Sequence, residues 1–139
     1  VALWDMLKQN FNVYCGDSKL ESNYVKHMSE CLIVVNQPTE PWDITTGSRS
    51  WEAIGFGKFI LQKKLRIDEF ERLGFIDGRD FVYWYTFEDL KDKIKYYLEH
   101  DRERMKIAKS GNRNAQHMSM QDQVKKMEKL IVKEFNLWE

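Results

Sequence analysis

Apolar and polar positions change period several times along this chain, and each change marks an element. Leu3, Trp4 and Leu7 recur at helical spacing, which predicts a helix over residues 2–9. The run "FNVYC" is β-rich and is closed by Gly16 and Asp17. Ser18 and Glu21 have the spacing of a capping box, opening a helix to about Ser29. "CLIVVN" is continuously aliphatic, as in a parallel strand covered on both faces. A loop holding Pro38 and Pro41 then leads to a helix from about Ser48 to Phe56 and to the strand "KFILQ". "DEFERLG" reads as a short helix and "DFVYWYT" as a strand. Thr86 and Asp89 cap the helix "EDLKDKIKYYLEH", with Leu90, Ile94, Tyr97 and Leu98 in one stripe. Asp101 is expected to cap a further helix, interrupted near Gly111. Ser119 and Asp122 cap the last helix, within residues 118–139, with Val124, Met127, Ile131, Phe135 and Trp138 along one face.

Strands that alternate with helices imply right-handed βαβ units. The expected fold is therefore α/β: a Rossmann-like, mostly parallel sheet with helices on both faces and a helical C-terminal tail. Four strands are expected, few for a complete doubly wound domain, and the pattern opens on a helix. Residues 1–139 read as one domain truncated at its N-terminus. Lysine plus arginine equals aspartate plus glutamate, 22 of each, so the net charge is zero. That speaks against a nucleic-acid binder working through a broad basic face. The charged run "EHDRERMKIAKSGNRN" is accordingly expected to be a solvated helix surface. Cys15 and Cys31 end apolar runs and read as reduced residues at the core edge of a cytoplasmic protein, with a disulfide between them as the alternative. His27, His100 and His117 are scattered, and no cysteine–histidine spacing suits a metal. The apolar runs are too short to span a membrane.

The stretch "DITTGSRSWEAIGFGKFIL" carries the candidate chemistry. In open parallel sheets, ligands sit beyond the carboxyl ends of the strands, over loops that lead into helices. Gly47 allows a tight turn there, and the amides of the next helical turn, from Ser48 onward, lack intrahelical partners at the positive end of the dipole. A phosphate suits that position. Arg49 adds a charge-assisted fork, and Glu52, one turn on, suits the vicinal diol of a ribose. Phosphate and ribose together make a nucleotide. Lys63 and Lys64 follow the next strand on the same rim, as does Asp17 after the first one. Each of these residues also has an ordinary reading, as a cap, a turn residue or a solvated surface charge. Trp42, beside Pro41, is placed to cover a sugar or base, whereas Trp51, Tyr83, Trp84 and Tyr85 read as core or its edge.

"SECLIVVN", "SRSWEAIGFGKFIL" and "DFVYWYTFEDLKDKIKYYLEHDRERMKIAKSGNRNA" together resemble the C-terminal half of a two-domain (GT-B) glycosyltransferase, in the group-one-like branch that includes spore-maturation-type proteins. The most specific parts are R-x-x-E-A-x-x-x-G, from Arg49 to Gly57, and the long helical tail. The resemblance implies that a nucleotide-diphosphate sugar binds this half and that an acceptor binds the N-terminal half. It places Arg49 near the diphosphate, Glu52 on the ribose hydroxyls, and the backbone of Gly47 and Ser48 on the phosphates. Lys63 would neutralise the diphosphate, and a loop around Asp17 would position the base. Retaining relatives often carry a second Glu eight positions before the helix Glu; here Ile44 stands there, which leaves the stereochemistry open.

The resemblance thus implies a donor-binding domain with no metal and no cofactor beyond the donor. The general base would lie on an N-terminal domain or subunit outside this chain, so no catalytic residue is assigned here and the isolated chain is expected to be inactive. A non-catalytic assembly module with a vestigial nucleotide pocket is the alternative, and Ile44 leans that way. The apolar C-terminal stripe is expected to pack on the N-terminal half or to pair two copies of the chain.

Overall fold

The computed structural model describes residues 2–14, 21–38, 47–67 and 69–135. Within them the order is α1 (Ala2–Asn10), α2 (Glu21–Glu30), β1 (Ile33–Asn36), α3 (Ser48–Gly55), β2 (Phe59–Lys63), α4 (Glu69–Arg72), β3 (Val82–Trp84), α5 (Phe87–Glu99), α6 (Asp101–Gln116) and α7 (Met120–Phe135). The strands form one parallel sheet in the order β1-β2-β3. β2 lies in the middle, and Phe59 to Gln62 are buried in succession, so a charge enters only at its last residue, Lys63.

Alternation along the strands divides the core into two layers. Phe59, Leu61, Val82 and Trp84 face α1 and α5, meeting Leu7, Leu90, Ile94 and Tyr97. Ile60, Phe81 and Tyr83 face the other way, toward Met28 of α2, Ala53 and Ile54 of α3 and Phe70 of α4. The helices therefore cover both faces, as expected. No helix of the described residues is long and apolar enough to cross a membrane.

Several local expectations hold in atomic detail. Thr86 Oγ1 accepts from the Asp89 amide at 3.2 Å at the start of α5. Ser119 Oγ accepts from the Asp122 amide at 3.2 Å at the start of α7. The expected cap at Ser18 lies outside the described residues.

Four expectations are corrected. Phe11 to Tyr14 form no strand, so the described sheet has three strands and not four. The Phe11 amide is spent on Leu7 O at 2.8 Å, continuing α1, and Phe11 and Val13 bury against the α1/α5 layer without a ladder. β-propensity measures fit to a half-buried surface, and here that surface is not a sheet. α6 is not capped by Asp101, which is its first helical residue and pairs with Arg104 at 2.8 Å. α6 also runs unbroken through Gly111. A Cβ at that glycine would lie 2.3 Å from Asp80 O, so its role is close approach of the helix to the 76–81 turn, not interruption. Ser110 Oγ bonds Asp80 Oδ1 at 2.6 Å beside it. In α5, Leu90, Ile94 and Tyr97 are buried, but Leu98 is exposed.

α7 contributes no buried side chain among its described residues, and Met120, Val124, Met127, Leu130 and Ile131 are all exposed. Phe135 and Trp138, the end of the expected stripe, lie outside the described side chains. Two outcomes follow. Gly111→Ala should destabilise the domain, because a methyl forced against a fixed carbonyl costs about 1–3 kcal/mol and outweighs the ~1 kcal/mol gain in helix propensity; a urea midpoint that rises would contradict the close-approach role. Ending the chain at Ser119 should leave stability within about 0.5 kcal/mol, as for changes at surface positions. A marked drop in the urea midpoint would mean that α7 packs on the core.

Candidate functional site

The carboxyl ends of β1 and β2 carry Asn36 and Gln62, which are partners in register. Side chains of in-register parallel partners point to the same face, here the face covered by α3. Ser50, in the first turn of α3, descends between them. Its hydroxyl donates to Gln62 Oε1 at 2.6 Å and accepts from Asn36 Nδ2 at 2.8 Å. Asn36 Nδ2 also reaches Gln62 Oε1 at 3.0 Å, and Gln62 Nε2 donates to Lys63 O at 3.1 Å. Ser50 and Gln62 are fully buried, yet no buried side-chain polar atom of the described residues lacks a partner. The Trp84 indole N–H donates to Asn36 O at 3.3 Å, linking β3 into the same network.

This network fixes where α3 begins. Gly47, the residue before it, has φ +73°, a conformation that costs glycine little and other residues more. Ser48 is the first helical residue and is exposed. With Ser50 turned inward, Arg49 and Glu52 share the flank one turn apart.

Both meet Tyr24, which α2 supplies from the same face of the sheet. The Arg49 guanidinium carbon lies 4.9 Å from the centre of the Tyr24 ring. The Tyr24 hydroxyl donates to Glu52 Oε2. Burial pushes the Tyr24 phenol up to about 12, reinforced by the hydrogen bond to Glu52 and by its charge, while Arg49 pulls the other way. The phenol thus keeps its proton throughout the neutral range.

A cleft of about 1290 Å³ opens beside this group, with Tyr24, Arg49, Asn36 and Gln37 at the sheet rim and Trp4 and Leu98 further along. Of the residues expected at the site, Arg49 and Glu52 are brought together, at a helix start turned by Gly47 and Ser48. Lys63 is held elsewhere. It is in register with Trp84, its ammonium sits 4.5 Å from that ring, and it donates to Tyr85 O. Strand alternation turns it to the face opposite Gln62. Lys64 pairs with Glu71 at 3.3 Å and lies 4.2 Å from the Tyr83 ring. Asp17, Trp42 and Ile44 lie outside the described residues. Among those described, no cluster of three His, Cys, Asp or Glu side chains is arranged to hold a metal.

Sequence reasoning missed Tyr24, Ser50, Asn36 and Gln62. A polar residue closing each of two aliphatic strands, "CLIVVN" and "FILQ", was the available signal for the network. Tyr24 had none, since it meets Glu52 from 28 positions away.

No curated protein and no solved structure matches the chain. A family model does, described as glycosyl transferase-like and spanning residues 3–129. That span takes in all three strands, the Ser50 network and the Arg49–Tyr24–Glu52 group. On the strength of this match, and of a parallel α/β fold that agrees with it, the chain belongs to the glycosyl transferase-like family.

Proposed function

We propose that this chain is the donor-binding module of a glycosyltransferase and takes a nucleotide-diphosphate sugar at the start of α3. The observation that carries the reading is the placement of Arg49 and Glu52 one turn apart at the start of α3, both engaged by Tyr24, with Arg49 and Tyr24 lining a cleft that runs along β1. The diphosphate would lie against the first-turn amides of Ser48 and Arg49, where the helix dipole favours negative charge. Glu52 would accept from the ribose hydroxyls. Lys63, turned to the other face of the sheet, would make no direct contact with the diphosphate, and Asp17 would help to position the base.

In the transfer, the bond between the sugar's anomeric carbon and the diphosphate oxygen breaks, and the acceptor's hydroxyl oxygen forms the new bond. The departing nucleoside diphosphate gathers negative charge as that bond lengthens. A fixed dipole and the Arg49 guanidinium stabilise that charge without reorganising. The acceptor and the base that takes its proton would belong to an N-terminal domain or subunit, or to a second copy of this chain, and α7 offers an apolar face for such a partner. The free thiol of Cys31 fits the cytoplasmic setting expected from the sequence.

A second reading, a non-catalytic assembly module with a vestigial nucleotide pocket, draws on the engagement of Glu52 by Tyr24. The two readings part on ligand binding, so the first experiment is a titration of the 139-residue chain with UDP and GDP, following backbone amide shifts. Shifts should concentrate in residues 47–52 and at Asn36; none at millimolar ligand would overturn the donor-site reading. Arg49→Ala should cost about 1.5–3 kcal/mol in diphosphate binding and much less in nucleoside binding, the loss of a charge-assisted contact. Equal losses for uridine and UDP would show that Arg49 acts only through the fold. Glu52→Gln should shrink the preference for UDP over 2′-deoxy-UDP, and an unchanged preference would remove Glu52 from the ribose.

A further inference from the structure

Tyr24 touches both charged groups of the site from a different helix. Its ring is half-buried and packs against the α2/α3 layer with Met28, Ala53 and Ile54. One edge of that anchored ring offers the hydroxyl to Glu52 Oε2, while its face carries the Arg49 guanidinium at 4.9 Å. The same residue lines the cleft together with Arg49.

Each contact has a distinct physical effect. An arginine on a helix surface has many rotamers, and ordering it on ligand binding costs side-chain entropy. A ring beneath the guanidinium restricts those rotamers before any ligand arrives. A phenol has one proton to give, so its bond to one carboxylate oxygen turns the Glu52 carboxylate to a set orientation. A carboxylate has roughly four lone-pair positions, and one donated proton leaves acceptor capacity for a diol.

We infer that Tyr24 is the positioning residue of the nucleotide site, its ring seating Arg49 for the diphosphate and its hydroxyl orienting Glu52 for the ribose. This rests on the donor-site reading above. The ring face serves Arg49 alone, whereas the hydroxyl serves Glu52 first and Arg49 to a smaller degree, so the two duties separate by degree. Phenylalanine keeps the ring and removes the hydroxyl; leucine removes both.

The test uses the 139-residue chain, with UDP, 2′-deoxy-UDP and uridine as probes. Tyr24→Phe should lower the preference for UDP over 2′-deoxy-UDP about three- to tenfold, as expected for a lost hydrogen bond to a charged group acting indirectly. Its preference for UDP over uridine should fall clearly less, because the ring face beneath Arg49 remains. Tyr24→Leu should lower that second preference as well, by about two- to fivefold, the scale of a cation–π contact at a partly exposed site. Adding Tyr24→Phe to Glu52→Gln should change the ribose preference little further, because Tyr24 reaches the ribose only through Glu52. The hydroxyl link has its own spectroscopic signature. The ring carbon bearing the Tyr24 oxygen should titrate near 12 in the parent and lower in Glu52→Gln, with burial retaining part of the shift.

The outcomes separate the two claims. A parent chain that binds no UDP overturns the donor-site reading and this role with it. A parent that binds UDP, with a Tyr24→Phe variant of unaltered ribose preference, overturns this inference alone. So does a Tyr24→Phe variant that loses both preferences in equal measure, since that is what a purely structural tyrosine would give. The phenylalanine variant retains the buried ring, so the decision does not depend on whether the leucine variant folds.

Discussion

The buried hydrogen-bond network of Ser50, Gln62 and Asn36 is the constraint on which the rest of the site depends. Two of its members are wholly out of contact with water, where an unpaired polar group costs about 1–3 kcal/mol. Each is satisfied only while α3 starts where it does and β1 and β2 keep their register. A slip of one residue would turn Gln62 to the opposite face and leave Ser50 without its acceptor. The network therefore converts sheet register into the azimuth of a helix. That azimuth in turn places Arg49 and Glu52 on the flank facing α2.

Above this layer, cations rest on aromatic rings: Arg49 on Tyr24, Lys63 on Trp84, Lys64 on Tyr83 and Lys93 on Tyr85. Lys64 and Lys93 also have carboxylate partners, Glu71 and Asp89. Arg49 and Lys63 are held by a ring, and Lys63 also by a backbone carbonyl. A ring face fixes a cation's position without cancelling its charge as a carboxylate would. A chain with no net charge can thus hold individual cations in fixed positions on ring faces. Zero formal charge weighs against a broad nucleic-acid surface, but it leaves room for a local site such as the one proposed at the start of α3.

Much of the fold was legible because its signals are local. Aliphatic runs without alternation gave the buried strands, and hydroxyl-to-carboxylate spacings gave the caps at Thr86 and Ser119. The start of α3 was legible for the same reason, since glycine at a strand-to-helix turn has a backbone meaning of its own. What escaped depended on distant partners. Gly111 looked like a helix breaker, and only the approach of Asp80 O reveals a requirement for the absence of a side chain. Phe11 and Val13 looked like strand residues because burial in a sheet and burial against helices demand similar side chains. Tyr24 sits in the polar helix "ESNYVKHMSE", where nothing local distinguishes it from a surface aromatic. Its partners are set by how two helices flank one strand, which no window of sequence contains.

The exposed apolar seam of α7 bears on how the molecule behaves as a colloid. Copies of a protein are ordinarily kept apart by like charge, and this chain has equal numbers of basic and acidic residues. Near neutral pH, nothing long-ranged opposes contact between seams, so short-ranged attraction governs. Solubility should consequently pass through a minimum around neutrality and recover toward either acid or base, until unfolding intervenes. Added salt should help little there, because there is no net repulsion to screen and the attraction is apolar. A partner that covers α7 would thus act as a solubiliser as well as a structural companion.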